Sequence, residues 1–395
     1  MRTPLTHDRH GDNGRPDPRP RAPHRRSTTA AVVVGLLAAG CGTTDGATTS
    51  DAPTDATTPG ATAATTAPTT PEPVTVTLLT HDSFNLTESL LTDFEAATGI
   101  HIEVLRAGDA GAMVNQAVLT RDAPLADVLF GVDTTFLSRA LDAELFLPYT
   151  SPTVTSGLLV DEVGPAIDGA VPVDVGHVCV NLDRLAYDES GVTPPVTLDD
   201  LADPAHADRL VVENPATSSP GLAFLLTTVA AFGEDGWLDY WQRLVDNGVA
   251  VAAGWEEAYY GQFSGGAGEG DRPLVVSYSS SPPAEVMFGP DPEADVAPTG
   301  VMLDTCFQQV EYAGILYGTE HPEAAGQVVE FLLSPQVQAD VPTSMFVFPA
   351  RRDVTLPEVF TKFAEVPSAP WSVSPADIEA NREAWIEAWT DVVLR

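Results

Sequence analysis

The chain has 395 residues, which is long enough for two lobes that each bury a core. It carries 56 acidic and 19 basic residues, a formal net charge of −37. A field of this sign repels nucleic acid and anionic lipid headgroups and attracts cations, so we expect no nucleic-acid partner. The charge alone identifies no ligand, because it also keeps an exported protein soluble.

Residues 1–40 have the pattern of an export signal. Residues 1–26 contain seven Arg, and the apolar run behind them is too short to span a membrane stably. The run ends in Leu-Ala-Ala-Gly before Cys41, which resembles the lipobox of bacterial lipoproteins, whose Cys becomes lipidated after cleavage. Ordinary signal cleavage nearby is the alternative.

The segment 41–73 is rich in Thr, Ala and Pro and has little to bury, which predicts a disordered tether. Cleavage before Cys41 leaves 12 basic and 53 acidic residues, a net charge of −41. We therefore expect an extracytoplasmic protein held by a lipid anchor at the outer face of the cell membrane.

From residue 74 the hydrophobic pattern is that of an α/β fold. Three strands alternate with two helices, the first of which has Thr87 as a candidate N-cap and Gly99 as a candidate C-cap. This order indicates a parallel sheet, on which ligands bind at the carboxyl ends of the strands. The predicted strands are 74–80, 100–105 and 126–133, and the predicted helices are 86–99 and 110–122.

A second α/β unit follows, and the strand predicted over 306–316 then returns to the first unit. Two capped helices close the chain, and the Trp residues of the helical segments 236–248 and 374–394 are assigned to packing. A chain that leaves one lobe, builds a second and returns predicts a two-lobed fold with a hinged ligand cleft. We place lobe 1 at 74–176 and 307–395, and lobe 2 at 177–306.

The loops at the strand ends are rich in hydroxyls, aromatics and carboxylates, which makes them the candidate binding site. Trp255 and Tyr259 are four residues apart, so a helical turn places both on one face. Simpler roles stay open for some of the candidates, such as helix capping by Ser218 or Ser219. The candidate ligand-binding residues are His81, Asp82, Ser83, Asp133, Ser218, Ser219, Trp255, Tyr259, Tyr278 and Phe346.

The two cysteines after Cys41, Cys179 and Cys306, are expected to form a disulfide, as two cysteines in an exported protein usually do. Patterns for a serine hydrolase, a zinc protease or a P-loop are missing, and the histidines show no metal-ligand spacing. The Gly-rich segment 265–270 has the composition of a surface turn. We expect a binding protein with no cofactor and no metal, rather than an enzyme.

The order of these loops resembles the thiamine-binding proteins of bacterial ABC importers, within the type II periplasmic-binding-protein class. The resemblance runs from about Val74 to Arg395 and rests on several segments together. They are "HDSFNL", "ADVLFGVD", "NPATSSPGLAFLL", "GWEEAYYGQF", "VVSYSSSP", "QVEYAGIL", "LLSPQVQADVPTSMFVFP" and "NREAWIEAW". It implies a thiamine pocket at the hinge of a monomer that delivers its ligand to a membrane permease.

The resemblance also implies how the ligand is held. Trp255 matches the Trp of the family's G-W-x-E-A-Y motif, and Tyr278 matches the Tyr of S-Y-x-x-S-P. A flat thiazolium cation gains from stacking and cation–π contacts on such side chains. The chain departs from the family at three positions: the family has Tyr where this chain has His81, Tyr where it has Ala284, and Trp where it has Phe346. A thiamine phosphate, a pyrimidine precursor or another cationic heterocycle therefore stays open.

Two alternatives share this fold. A ferric-ion carrier could use the phenolates of Tyr259 and Tyr260 together with His81. A thiamine-cleaving transferase would need Cys179 or Cys306 as a nucleophile, which a disulfide between them would exclude. A structural surface protein is the third alternative, but it would leave the grouping of polar and aromatic loops unexplained.

Overall fold

The computed structural model describes residues 74–395. The predicted export signal, Cys41 and the predicted tether lie outside these residues. In the described part of the chain, no helix is both long and apolar enough to cross a bilayer.

The strands of residues 74–395 form one sheet, in the order β2-β1-β3-β8-β4-β7-β5-β6, with β9 paired to β4. The strands are β1 (Val74–Thr80), β2 (Ile100–Arg106), β3 (Val128–Asp133), β4 (Val171–Asp183), β5 (Leu210–Glu213), β6 (Ala250–Ala252), β7 (Leu274–Tyr278), β8 (Thr299–Ile315) and β9 (Phe348–Pro349).

Helices connect the strands of this sheet and pack against it. They are α1 (Glu88–Thr98), α2 (Ala110–Leu119), α3 (Leu137–Asp142), α4 (Pro152–Thr155), α5 (Arg184–Ser190), α6 (Leu198–Leu201), α7 (Ser219–Phe232), α8 (Trp237–Asp246), α9 (Pro282–Met287), α10 (Pro322–Leu332), α11 (Pro335–Ser344), α12 (Glu358–Phe363) and α13 (Pro375–Val393). Two 3₁₀ turns (Asp161–Val163 and Pro204–His206) and a π-helical turn (Glu257–Gln262) complete the described elements.

The pairing of the strands divides the sheet into two parallel parts. β1 pairs in parallel with β2 and β3, and β5 pairs in parallel with β6 and β7, as the alternation of strands and helices predicts. The long strands β4 and β8 run antiparallel to each other between these parts, and β8 pairs with β3 while β4 pairs with β7. The two lobes therefore share one continuous hydrogen-bonded sheet.

Strand β4 is one of the elements that the hydrophobic pattern does not reveal. All 13 of its residues are buried, yet Pro172, Asp174, Gly176 and His177 interrupt its apolar run. Proline and glycine are depleted in strand interiors, so propensity argues against a strand here. Pairing on both sides with β7 and β8 overrides that propensity.

The predicted helix ends are largely confirmed. Gly99 ends α1 with φ of +75°, a left-handed conformation that glycine adopts without strain. Ser374 begins α13, and its side chain accepts a hydrogen bond from the Asp377 N–H. Thr87 precedes α1 but does not cap it; its hydroxyl donates to Asp340 at 2.6 Å instead.

The tryptophans assigned to packing are buried. Trp237 and Trp241 are 2% and 1% exposed, and Trp385 and Trp389 are 5% and 0% exposed. Trp241 and Trp389 meet edge to face with ring centroids 5.5 Å apart, which packs α13 against α8. The C-terminal helix thus stabilises the fold and contributes none of these rings to a ligand site.

The predicted disulfide is present. Cys179 of β4 and Cys306 of β8 are bonded across 127 residues of sequence, and both are fully buried. Their pairing removes both thiols, so neither can act as the nucleophile that a thiamine-cleaving transferase requires.

Candidate ligand-binding cleft

A cavity of ≈ 470 Å³ lies where several loops from the strand ends meet. Its lining is mostly apolar and includes several polar groups, as in binding sites for small organic molecules. Seven of the predicted ligand-binding residues line the cavity: His81, Ser83, Ser219, Trp255, Tyr259, Tyr278 and Phe346. Ala284, which stands where the resembling family has a tyrosine, lines the cavity as well.

One wall of the cavity is a stack of two aromatic rings. The rings of Trp255 and Tyr259 lie 4.9 Å apart at 22°, as their four-residue spacing predicts. Tyr260 stands edge-on to Trp255, with centroids 5.5 Å apart, and also lines the cavity. Tyr259 and Tyr260 lie on the π-helical turn Glu257–Gln262, in which the Phe263 N–H donates to the carbonyl of Ala258, and Trp255 lies just before this turn. Such wide turns are frequent at functional sites.

Hydrogen bonds hold both rings of this wall in place. The indole N–H of Trp255 donates to Ser277 Oγ at 2.9 Å, and that hydroxyl bonds Ser281 at 2.9 Å. The Tyr259 hydroxyl donates to Glu285 Oε1 at 2.7 Å. The stack is therefore fixed before a ligand arrives, which lowers the entropic cost of binding.

Glu285 is one of the carboxyl groups that the sequence pattern does not single out. It lies on α9, lines the cavity and is 6% exposed. Burial raises the pKa of its carboxyl, while the hydrogen bond from Tyr259 opposes the rise. Gly266 packs directly against this carboxylate with φ of +59°, so a side chain there would collide with it. Gly266 and Ala267 line the cavity from an exposed turn, which agrees with the surface turn that the composition of 265–270 predicts.

Asp109 joins the start of α2 to the aromatic wall. Its Oδ1 accepts a hydrogen bond from the Ala110 N–H at 2.6 Å, and its Oδ2 accepts one from the Trp255 N–H at 2.8 Å. Burial raises the pKa of this carboxyl, and the two backbone donors oppose the rise. Asp109 follows β2, so the rule that ligands bind at strand ends could have identified it.

His81 and Glu311 face each other at another part of the cavity. His81 Nε2 lies 3.7 Å from Glu311 Oε1 and makes no hydrogen bond within the described structure. Burial disfavours the imidazolium, but the nearby carboxylates, Glu311 first among them, outweigh it and raise the pKa of His81. Behind Glu311, burial and that neighbouring charge raise the pKa of Asp174 well above its ordinary value.

Three predicted ligand-binding residues are not among the cavity's lining. Asp82 is exposed, and its carboxylate accepts a hydrogen bond from the Gly108 N–H. Asp133 is fully buried, accepts from the Thr135 hydroxyl at 2.8 Å, and has a pKa raised by burial to about 6. Ser218 caps α7 by accepting from the Gly221 N–H.

The remaining predicted residues form the other walls. Ser219 Oγ accepts a hydrogen bond from Gln309 Nε2 at 2.7 Å. The Tyr278 ring lies against Gly176, where a Cβ would contact the ring at 2.9 Å, so β4 needs glycine there. Phe346 has φ of +56°, a strained conformation for a residue with a side chain, and its carbonyl accepts from Ser280 Oγ at 2.6 Å.

The sequence reasoning found the aromatic residues but not most of the carboxylates. The lining includes Asp109, Asp183, Glu285 and Glu311, none of which was singled out. Glu256 and Glu257, which lie between Trp255 and Tyr259 in the sequence, are exposed, and Glu257 accepts a hydrogen bond from the Ala253 N–H. Within residues 74–395, no group of three or more His, Cys, Asp and Glu side chains is placed to hold a metal ion.

Comparison with known proteins agrees with this architecture. The family described as bacterial extracellular solute-binding protein matches residues 123–376. The thiamine-binding periplasmic protein of Escherichia coli (strain K12) is 30% identical over 329 residues, which cover 81% of this chain and 94% of that protein. Its counterpart from Salmonella typhimurium is 29% identical with the same coverage.

Solved structures extend the comparison to the fold. A periplasmic thiamin binding protein superposes with a TM-score of 0.72 at 28% identity, covering 81% of this chain and 96% of that one. Iron-bound HitA from Pseudomonas aeruginosa, at 21% identity and a TM-score of 0.63 over 81% and 99% of the two chains, shares the fold. The chain therefore belongs to the bacterial extracellular solute-binding proteins, has the two-lobed type II fold, and is a binding protein rather than an enzyme.

Proposed function

We propose that the chain is an extracytoplasmic lipoprotein that captures thiamine, or a thiamine phosphate, and delivers it to an ABC permease. The observation that carries the proposal is the stacked pair Trp255–Tyr259 beside the carboxylates of Asp109, which is half-buried, and Glu285, which is buried. A flat aromatic cation gains dispersion and cation–π energy on the rings and Coulomb energy from the carboxylates.

The relatives support the same ligand class, because several curated proteins similar in sequence are named as thiamine-binding. Delivery to a permease, a monomeric state and the lipid anchor at Cys41 belong to the proposal, as do the lobe boundaries. We place lobe 1 at 74–176 and 307–395 and lobe 2 at 177–306. In support, β4 and β8 cross between the two parallel parts of the sheet near these boundaries.

Calorimetric titration of the purified, dialysed protein with thiamine tests the proposal. Trp255→Ala removes half of the stack, so we expect its affinity to fall about 30-fold or more. Tyr278→Ala should weaken binding in the same direction. Tyr317→Ala is the matched control, because Tyr317 is 47% exposed, stacks with Arg121 and does not line the cavity.

The outcomes separate the alternatives. Unchanged affinity in Trp255→Ala would place the binding site elsewhere. A protein that shows no thiamine binding but becomes coloured on addition of ferric citrate would be a ferric-ion carrier. For the anchor, we expect Cys41→Ser to abolish labelling with radioactive palmitate, while the double variant Cys179→Ser/Cys306→Ser keeps it; labelling that persists without Cys41 would refute the anchor.

A further inference from the structure

We propose that Asp174 carries a proton and donates a hydrogen bond to Glu311, so that Glu311 faces the cavity as an ionised carboxylate. Asp174 is then a positioning residue, because it does not line the cavity and acts on the ligand through Glu311, which does. The proton on Asp174 does not depend on the identity of the ligand, whereas its effect on affinity rests on the proposed function.

Strand pairing places three carboxyl groups side by side across the centre of the sheet. Glu311 of β8 is the direct partner of Asp133 on β3 and of Asp174 on β4. Residues directly opposite each other on neighbouring antiparallel strands project to the same face of a sheet. We call Asp133, Glu311 and Asp174 the carboxyl row. Like charges in such positions repel, so this arrangement favours protonation of a member of the row.

The carboxyl row is buried, which opposes its full ionisation. Asp133 and Asp174 are 0% exposed, and Glu311 is 8% exposed. Neighbouring carboxyl groups that are removed from water do not all ionise, and pairs of them share a proton. We therefore expect the row to hold at least one proton near neutral pH.

Two members of the row have partners that stabilise a negative charge. Asp133 Oδ1 accepts hydrogen bonds from the Thr135 hydroxyl at 2.8 Å and from the Phe136 N–H at 3.2 Å. Burial raises the pKa of Asp133 to about 6, so its carboxyl is mostly ionised above that pH. Glu311 Oε1 lies 3.7 Å from His81 Nε2, and Glu311 borders the cavity. These contacts favour a proton elsewhere in the row.

Asp174 is the member of the row without such partners. Both of its side-chain oxygens are buried, and no group of the described residues donates a hydrogen bond to either of them. Its carboxyl is within hydrogen-bonding reach of Glu311, and burial and the charge of Glu311 raise the pKa of Asp174 well above its ordinary value. A proton on Asp174 removes the repulsion and gives Glu311 a donor.

The surroundings of Asp174 offer a proton rather than a cation as the way to neutralise it. Within the described chain, burial and Glu311 are the influences on its carboxyl, and no positive group is among them. Tyr278 of β7 lies near the row, but burial and then the carboxylates, Glu311 first, raise the pKa of its phenol well above the ordinary value. On β9 the partner of Asp174 is Pro349, whose side chain does not ionise.

The proton on Asp174 affects the ligand because Glu311 lines the cavity. A hydrogen bond donated to an ionised carboxyl favours the ionised form. With Asp174 neutral, Glu311 keeps a negative charge that attracts a cationic ring. An apolar side chain in place of Asp174 should therefore make Glu311 easier to protonate and weaken the attraction.

Infrared spectroscopy of the ligand-free protein, with isotopically labelled Asp carboxyls, tests the proton directly. A protonated carboxyl has a C=O stretching band that a carboxylate lacks. We expect Asp174→Asn to remove one such band at slightly alkaline pH, where Asp133 is ionised. Asp304→Asn is the matched control and should leave the band in place, since Asp304 is an exposed residue of β8. An unchanged band in Asp174→Asn would overturn the proposal.

Calorimetric titration with thiamine tests the positioning role. Asp174→Asn keeps an N–H donor for Glu311, so its affinity should stay within about twofold of that of the unmodified protein. Asp174→Ala removes the donor, so we expect affinity to fall about tenfold and the pH at which binding weakens to move upward. A residue with a merely structural role would change the stability without moving this pH profile.

The outcomes separate this inference from the proposed function. Unchanged affinity and an unchanged pH profile in Asp174→Ala would refute the positioning role, as would an Asp174→Asn variant that loses as much affinity as Asp174→Ala. A protein that shows the infrared band of Asp174 but binds no thiamine would overturn the proposed function and the effect on affinity, and would leave the proton on Asp174 standing.

Discussion

Asp109 shows how much a single carboxylate can do at the scale of the residue. One of its oxygens caps α2 and the other fixes the backbone of Trp255, so the charge that attracts a cation also positions the aromatic wall. A neutral amide has one oxygen acceptor and one nitrogen donor, and it can satisfy only one of these two N–H groups.

We therefore expect Asp109→Asn to weaken thiamine binding about tenfold or more and to lower the free energy of unfolding by about 1–2 kcal/mol. Calorimetry and urea denaturation measure the two effects. Ser374→Ala removes a comparable N-cap from α13, away from the cavity. That control should lose about 1 kcal/mol of stability and keep its affinity. Full affinity in Asp109→Asn would contradict the role of the carboxylate.

The titration of the same groups predicts the pH dependence of binding. Burial raises the pKa values of Asp109 and Glu285, so these carboxyls become protonated at higher pH than exposed ones. A bound cation favours their ionised forms, and binding therefore releases protons. His81, whose pKa is also raised, acts in the same direction by gaining positive charge as the pH falls.

Thiamine affinity should consequently fall as the pH is lowered from about 8 to about 5. Titration calorimetry in buffers of different ionisation enthalpy measures the protons released. The double variant Asp109→Asn/Glu285→Gln should show a flatter profile. Affinity that stays constant over this pH range in the unmodified protein would be inconsistent with ionising carboxylates in the cavity.

The site residues differ in how far the sequence could predict them. The spacing of Trp255 and Tyr259 is local, and a single helical turn is enough to stack them. Glu311 and Glu285 come from β8 and α9, and they meet the cavity only after the chain has folded around it. Periodicity carries no information about such long-range proximity. Asp133 and Ser218 show the converse, because loop position does not say whether a side chain turns inward to cap a backbone.

At the scale of the element, the hydrophobic pattern predicts the parallel parts of the sheet, but of the two long central strands, β4 and β8, it predicts only part of β8. The pattern predicts a strand over 306–316, while β8 extends back to Thr299. Its partner β4 was not predicted, because polar residues and prolines are acceptable in a strand once neighbours satisfy its backbone on both sides. The fold class followed from the alternation of elements, whereas the continuity of the sheet required the tertiary pairing.

The disulfide between these two strands should contribute measurably to stability. Removing a native disulfide typically costs about 2–5 kcal/mol, so we expect a loss of that size in Cys179→Ser/Cys306→Ser. Urea denaturation with and without a reductant measures it. Reduced unmodified protein should approach the variant's stability, and the variant itself should not respond to reductant. A reductant that leaves the unmodified protein unaffected under unfolding conditions would contradict this expectation.

At the scale of the whole molecule, several hydrogen bonds join the two lobes as we place them. Among them, the Trp255 N–H donates to Asp109, the Ala112 N–H donates to the carbonyl of Thr217 at 3.1 Å, and Gln309 Nε2 donates to Ser219 Oγ at 2.7 Å. Each is worth about 1 kcal/mol net, so a ligand that contacts both sides can shift the balance between open and closed arrangements.

Small-angle X-ray scattering should therefore show a smaller radius of gyration with thiamine than without it. The Trp255→Ala variant, at the same thiamine concentration, serves as the control and should change little because its affinity is reduced. An identical radius of gyration in the unmodified protein with and without ligand would show that the cleft does not close on binding.

The disulfide has a further consequence for how the chain can come apart. Cys179 and Cys306 lie close to the points where the chain enters and leaves the part of the fold that contains β5, β6 and β7. The disulfide therefore closes residues 179–306 into a covalent loop. A single proteolytic cut between the two cysteines would leave one molecule on a non-reducing gel and two fragments on a reducing gel. This loop can unfold and refold locally while the disulfide holds its two ends together on β4 and β8.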